Sequence, residues 1–159
     1  MDGVEIPDSV LSSLTHLMAR WSSAQIQGEI ARDADADIDA PDIPALYMLG
    51  LEGPLRASEL ADRLHVSRPT ASKQLARLDR AGLVVRTADP GDGRVTIVAL
   101  SPSGRSRYER LVAQGRVMAA TAMSDWAPGT RAQFARRLEA FVGSLGIAPS
   151  TSVTDPTDG

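Results

Sequence analysis

The chain has 159 residues, of which 43% are hydrophobic, and its formal net charge at pH 7 is −3. This length favours a single domain, and the apolar content is enough for a core, which excludes a wholly disordered chain. The absence of cysteine excludes disulfides, thiolate metal sites and cysteine redox switches. Because the acidic N-terminus lacks the apolar segment of a signal peptide and no apolar run could span a bilayer, we expect a cytoplasmic protein without a membrane partner.

The charges are divided unevenly along the chain. Residues 1–44 carry nine acids and two arginines, whereas residues 55–110 carry eleven basic residues and six acids. This asymmetry indicates either one basic working surface on an acidic body or acids scattered over solvated faces. Charge alone does not separate these two interpretations.

The N-terminal part of the chain is predicted to be helical. Over residues 8–31, Val10, Leu14, Leu17 and Trp21 recur at helical spacing and form one apolar stripe. An acidic segment with two prolines ends this helix. A short apolar helix follows from Ala45 and stops at Gly53-Pro54.

Two helices separated by a very short turn come next. The first carries Leu60 and Leu64 on one face. The second is predicted over residues 67–81, with Ser67 as its N-cap and Gly82 in the C′ position. Such a closely spaced pair is typical of a helix-turn-helix.

A hairpin and two further helices complete the chain. Residues 83–88 read as one strand, residues 88–95 as a polar loop, and the following run as a second strand with Val95, Ile97 and Ala99 on one face. Two helices follow, the second with a stripe of four large apolar residues, Phe134, Leu138, Phe141 and Leu145.

The order of elements predicts a mainly α protein with a small β-hairpin, of the α+β class, built as a winged helix-turn-helix. We expect an N-terminal dimerisation helix and acidic linker over residues 1–40 and the winged lobe over residues 41–101. C-terminal dimerisation helices are expected over residues 102–146. Residues 147–159 have too little apolar content to pack and are predicted to form a flexible tail.

The second helix of the pair has one small, polar and positive face. If Ala71, Leu75 and Leu78 face the core, the opposite face carries Pro69, Thr70, Lys73, Ala76, Arg77 and Arg80, with Arg68 and Ser72 on its flank. A face of this kind is able to enter a DNA major groove, where cations reach guanine or phosphate. The alternative is an ordinary solvated helix with a few cations.

Several motifs match a known family in the same order. They are Glu59-Leu60-Ala61, Val66-Ser67, Thr70-Ala71-Ser72, the passage from Leu78 to Arg86, the wing triplet Asp92-Gly93-Arg94, and Leu100-Ser101 followed by Gly104. On these residues, the sequence from about Ala45 to Gly104 resembles the MarR family of bacterial transcriptional regulators. Two positions depart from the pattern, because Gly93 often has a basic counterpart in the family and Ser101 replaces a threonine.

The resemblance implies a homodimeric repressor or activator that binds double-stranded DNA. In the family the terminal helices interleave between protomers, the recognition helix enters the major groove and the wing arginine reaches the minor groove. Asp92 is expected to hold Arg94 through a charge-assisted hydrogen bond. The residues expected at the DNA are Ser67, Arg68, Thr70, Ser72, Lys73, Arg77, Asp92 and Arg94.

Dimerisation is also expected on physical grounds. One recognition helix reads few base pairs, whereas two related by a twofold axis read a palindrome. The stripes over residues 8–31 and 128–145 are also wider than a lobe of about 60 residues can cover, so they require a partner surface.

The resemblance further implies a pocket for a small aromatic or phenolic effector, and no other cofactor is expected. The candidate lining residues are His16, Arg20, Trp21, Tyr47 and Met48. Plain core packing is the alternative for Trp21 and Met48.

Other functions have weaker support in the sequence. A winged-helix module that binds a protein, without sequence-specific DNA binding, remains the alternative. No phosphate-binding loop, nucleophile elbow or dinucleotide fingerprint is present, so no enzyme is expected. With two histidines and no cysteine, the chain has few ligands for a transition-metal site. The alternating acids from Asp33 to Asp39 lack the glycine and the glutamate of a calcium-binding loop, so no calcium site is expected there.

Overall fold

A computed structural model of the chain describes residues 7–146. In this range it contains α1 (Asp8–Trp21), α2 (Ala24–Asp33), α3 (Ile43–Glu52), α4 (Ala57–Leu64), α5 (Arg68–Arg80), α6 (Pro102–Ala122) and α7 (Pro128–Ser144), with strands β1 (Leu55–Arg56), β2 (Val84–Ala88) and β3 (Thr96–Leu100). A short 3-10 helix, Ala40–Asp42, precedes α3. The predicted fold class is confirmed. The predicted tail, residues 147–159, lies outside the described residues.

The three strands form one antiparallel sheet in the order β1-β3-β2. Val84 pairs with Leu100 and Ala88 with Thr96, so β2 and β3 form the predicted hairpin. Strand β1 was not predicted, because two residues are too few to show a period of two. In β3 the buried side chain is Val98, on the face opposite Ile97.

Helix α5 begins and ends as predicted. The Ser67 hydroxyl accepts a hydrogen bond from the Thr70 N–H at 3.2 Å, which makes Ser67 the N-cap. Gly82 follows the helix with a φ of +69°, a left-handed conformation that favours glycine. The predicted inward face is also confirmed, because Ala71, Leu75 and Leu78 are buried.

The predicted helix over residues 8–31 is wrong in its continuity. The helix is interrupted at Ser22 and Ser23, which separate α1 from α2. The Ser22 hydroxyl donates to the Met18 carbonyl at 2.8 Å, and the Gln27 amide donates to the Trp21 carbonyl at 2.8 Å. The Met18 carbonyl also accepts the Ser22 N–H, as in a helix, whereas the Trp21 carbonyl is bonded by a side chain from six residues further on. Serine hydroxyls that bond to nearby carbonyls compete with the helical backbone, which favours a helix end here.

The two terminal helices expose their apolar stripes. Neither α1 nor α7 contains a buried residue. The exposed large apolar side chains on these two helices, with the C-cap of α7 included, are Val10, Leu11, Leu17, Met18, Trp21, Phe134, Leu138, Phe141 and Leu145. Among the described helices, none combines the length and apolarity needed to cross a membrane.

The corner between β3 and α6 explains the Leu-Ser-x-x-Gly motif. The Ser101 hydroxyl donates to the Gly82 carbonyl at 2.6 Å and accepts from the Gly104 N–H at 3.0 Å, so it caps α6 and joins it to the end of α5. A Cβ on Gly104 would lie 1.9 Å from the Leu83 carbonyl oxygen. Only glycine therefore permits this approach of α6 to the chain before β2.

We expect Gly104→Ala to lower the free energy of unfolding by about 2 kcal/mol or more, because the added methyl overlaps backbone that is itself packed in the core. Chemical denaturation checks this. Gly28→Ala is the matched control: Gly28 lies within α2 with no atom within 4 Å of a Cβ, so the same change there should raise stability slightly. Equal midpoints for Gly104→Ala and the unsubstituted chain would contradict the packing argument.

Candidate nucleic-acid interface

The outer face of α5 is polar and open to solvent. Because its apolar side chains turn inward, Arg68, Thr70, Ser72 and Lys73 are all exposed. Ser67 is exposed at the helix start, and its hydroxyl lies 2.8 Å from that of Thr70. The N-terminal half of α5 therefore presents hydroxyls and two cations on one surface.

The cations of the winged lobe fall into two groups. Arg56, Arg77 and Arg86 each form an ion pair, with Asp89, Asp42 and Asp79 respectively. Arg68, Lys73 and Arg94 form no ion pair with any acid in residues 7–146. Arg80, at the C-terminal end of α5, also forms no ion pair within these residues, so the uncompensated positive charge lies at both ends of α5 and on the loop between β2 and β3.

Asp89 shapes the loop between β2 and β3, which we call the wing. Its backbone N–H donates to the Val95 carbonyl at 2.8 Å, and its carboxylate accepts the Gly91 N–H at 2.8 Å. The same carboxylate pairs with Arg56, which ties the wing to β1. The Gly91 N–H and then the Arg56 guanidinium hold the pKa of Asp89 below its usual value. Neither Asp89 nor Arg56 was among the predicted site residues, although an Asp-Pro-Gly turn predicts the bond between the Asp89 carboxylate and the Gly91 N–H.

The prediction that Asp92 bonds to the Arg94 guanidinium is wrong. The Asp92 carboxylate instead accepts the backbone N–H of Arg94 at 3.0 Å, closing a tight turn over Gly93. Two residues apart in a turn, the backbone N–H lies within closer reach of the carboxylate than the end of a long side chain. Asp92 therefore sets the backbone of the wing, and the exposed Arg94 side chain extends from it.

Arg77, one of the residues expected at the DNA, forms an ion pair within the lobe, and its DNA contact stays a prediction. Its Nε lies 2.8 and 2.9 Å from the two carboxylate oxygens of Asp42, and its Nη2 lies 2.5 Å from one of them. The Asp42 side chain is only 5% exposed. The helical wheel placed Arg77 on the outer face, but the 3-10 helix Ala40–Asp42 lies beside the C-terminal half of α5 and engages this guanidinium. The other expected DNA contacts stay predictions.

The residues expected at an effector pocket are only partly brought together. A cavity of about 470 Å³ lies between the α1–α2 junction, the start of α3 and the middle of α6. Its lining residues are Trp21, Ser22, Ala24, Gln27, Ile30, Ala40, Pro41, Pro44, Tyr47 and Gly115. His16, Arg20 and Met48 do not line it. Burial raises the pKa of the Tyr47 phenol, so its hydroxyl keeps its proton at neutral pH.

The geometry defines a class of protein. Helices α4 and α5 form a helix-turn-helix, the β2–β3 hairpin forms a wing beside it, and the exposed cations lie on both. The protein is a winged helix-turn-helix protein.

Comparison with known proteins shows which family the winged lobe resembles. Residues 36–95 match the model of the MarR family. An uncharacterized HTH-type transcriptional regulator of Bacillus subtilis, YfiV, is 24% identical over 90 residues. That alignment covers 57% of this chain and 56% of YfiV, so the match spans about half the length of this relative.

Solved structures extend the likeness to nearly the whole chain. RV1404 from Mycobacterium tuberculosis is 25% identical with a TM-score of 0.68, and the match covers 92% of this chain and 99% of that one. A MarR family protein from Bacillus stearothermophilus is 21% identical with a TM-score of 0.70, covering 89% and 99%, which shows the shared fold. The predicted resemblance to the MarR family is therefore confirmed, and its family-model match is carried by the winged lobe.

Proposed function

We propose that this chain is a DNA-binding transcriptional regulator that acts as a homodimer on a palindromic operator. The observation that carries the proposal is the distribution of charge: Arg68, Lys73 and Arg94 have no acidic partner in the described chain, whereas Arg56, Arg77 and Arg86 are paired. An anionic partner would supply the missing counter-charge. The likeness to proteins named as HTH-type or MarR family regulators supports DNA as that partner and offers no enzyme as a model.

Each part of the charged surface has a proposed role. The N-terminal half of α5 enters the major groove, where Thr70 and Ser72 meet base edges or phosphates and Lys73 meets guanine or phosphate. The thin wing approaches the adjacent minor groove, whose negative potential favours an inserted Arg94. Ser67 and Arg68 hold the neighbouring phosphates. Binding to chromosomal DNA would place the protein in the cytoplasm.

The exposed stripes support a dimer formed through α1 and α7. Phe134, Leu138 and Phe141 lie along one face of α7 and are each about 40% exposed. Contiguous apolar surface of this kind marks an interface. A second copy of the chain covers it symmetrically and sets two α5 helices at about 34–36 Å, the spacing of successive major grooves.

The cavity between the α1–α2 junction and α6 supports a repressor that is released by a small ligand. Its lining is mostly apolar, with Ser22, Gln27 and the protonated Tyr47 as polar side chains, and it contains no lysine or arginine. A carboxylate would be desolvated there without a cation, so we propose a neutral phenol rather than an aromatic acid. A ligand wedged beside α1 would act by favouring a protomer spacing that mismatches the grooves.

We expect Arg94→Ala and Lys73→Ala each to weaken specific DNA binding about tenfold. Each should also lower the magnitude of the slope of log affinity against log salt by about one unit, because each cation displaces a counterion from the DNA. Gel-shift titrations of the upstream DNA of the chain's own gene at several salt concentrations measure both. Arg116→Ala, on α6, removes the same charge and should leave the slope unchanged. Equal slopes for all variants, or no DNA binding by the unsubstituted chain, would favour the protein-interaction module instead.

We expect light scattering to give the unsubstituted protein twice the 16.9 kDa mass of one chain. Leu138→Glu with Phe141→Glu should give the single-chain mass and abolish specific DNA binding, since buried charges oppose association. Arg136→Glu lies on α7 outside the stripe and serves as the control. A single-chain mass for the unsubstituted protein would contradict the dimer.

We expect 4-methylphenol at a hundredfold excess over its Kd to raise the unfolding midpoint by about 5 °C and to release DNA, because it binds the folded state alone. Benzoate, with its charge, should have a much smaller effect. Trp21→Ala should remove the response to 4-methylphenol. A shift that survives this substitution would place the ligand elsewhere.

A further inference from the structure

The acidic segment between α2 and α3 is docked against two helices of the protein. We call residues 34–42 the acidic strap. Ala36 is completely buried in the core, and Asp42 is buried at its end. Asp35 adopts a left-handed conformation, with φ of +48°, and the N–H groups of Asp35 and Ala36 bond to the Arg32 and Ala31 carbonyls, so the strap begins as the C-terminal cap of α2. The strap is therefore a held segment rather than the solvated linker that its composition predicts.

One end of the strap holds the C-terminal half of α5. Asp42 receives the fork of the Arg77 guanidinium through both carboxylate oxygens. One turn earlier on the same helix, the buried Gln74 amide donates to the Pro41 carbonyl at 2.7 Å. Two side chains of α5 are thus fixed to two neighbouring residues of the strap, which restricts rotation of α5 about its axis.

The other end of the strap is held by α6. The Arg107 guanidinium donates to the Ala36 carbonyl at 2.5 Å and also to the Asp37 carbonyl. The Arg110 guanidinium donates to the Asp35 carbonyl at 2.6 Å. Because these bonds are made to backbone carbonyls, they fix the path of the strap itself.

We infer that Asp42 and Arg77 are positioning residues, which set the orientation of α5 relative to α6 through the acidic strap and do not contact DNA themselves. The inference rests on the proposed function, since it concerns how the DNA-reading helix is aimed. A bidentate arginine–carboxylate pair adds geometric specificity as well as attraction, which suits it to fixing an angle. The Asp42 carboxylate is nearly inaccessible to solvent, so it is not a hydrated surface charge.

The two roles open to Arg77 predict opposite effects of Asp42→Asn. If Arg77 reads DNA and Asp42 merely restrains it, the substitution releases a cation and strengthens binding. If the pair positions α5, the substitution weakens binding as much as Arg77→Gln does. The double variant then loses no more than either single variant, because both remove the same interaction.

The test uses the full chain and a duplex that the unsubstituted protein selects from a random-sequence library. Fluorescence anisotropy at four salt concentrations gives the affinity and salt slope, at temperatures where circular dichroism shows every variant folded. We expect Asp42→Asn, Arg77→Gln and the double variant each to bind about tenfold more weakly, with an unchanged salt slope. Asp62→Asn, an exposed acid on α4, makes the same charge change and should not weaken binding.

Each other outcome overturns the inference. A salt slope lowered by about one unit in Arg77→Gln, or tighter binding by folded Asp42→Asn, assigns Arg77 to DNA contact. An unchanged affinity in folded Asp42→Asn assigns the pair to stability alone. In each of these cases the proposed function stands. If Asp42→Asn is unfolded, Arg77→Lys, which keeps the charge but loses the fork, replaces it and must lose affinity without a change in slope. If the unsubstituted chain selects no duplex, the proposed function fails, and the inference fails with it.

Discussion

Burial of one face of α5 is the constraint on which the rest of the winged lobe depends. Ala71, Leu75 and Leu78 are almost completely inaccessible to solvent, and they pack with leucines of α3 and α4 in one core. Removing each leucine from water stabilises the fold by about 2 kcal/mol. Because a helix is rigid, this burial turns Arg68, Thr70 and Lys73 outward at fixed angles. The core thereby determines which side chains a partner meets.

Ion pairing then separates structural cations from available ones. Arg56 and Arg77 belong to the same lobe as Lys73, yet each is held by a carboxylate of that lobe. Such pairs order the wing and the end of α5, while the cations without an acidic partner in the described chain give the surface its charge. A chain with a net charge of −3 thus presents a locally basic surface. Net charge is therefore a poor guide to binding when charges are sorted in this way.

Much of the lobe was predictable because its signals are local. Ser67 caps its own helix through a bond to Thr70, and Gly82 adopts the left-handed conformation that ends it. Three features of the structure were not predicted: the interruption of the helix at Ser22, the ion-pair partner of Arg77 and the turn that Asp92 closes. Arg77 and Asp42 are 35 residues apart, so no spacing in the sequence relates them. At the break, the Gln27 side chain donates to the Trp21 carbonyl from six residues away, a bond that helical periodicity does not reveal.

The sequence by itself determined the order of elements, the inward face of α5 and the polar outer face, because helical period and capping chemistry act over a few residues. Only the tertiary structure decided which outer cations have acidic partners, since ion pairs join segments distant in the chain. It also decided that the acidic segment before α3 docks against α5 and α6. Composition predicted a solvated linker there, but the burial of Ala36 and the hydrogen bonds that Arg107 donates to backbone carbonyls of the segment fix its path. Every residue has a backbone carbonyl, so the sequence does not show which carbonyls accept a hydrogen bond from a side chain. Only the folded chain shows it.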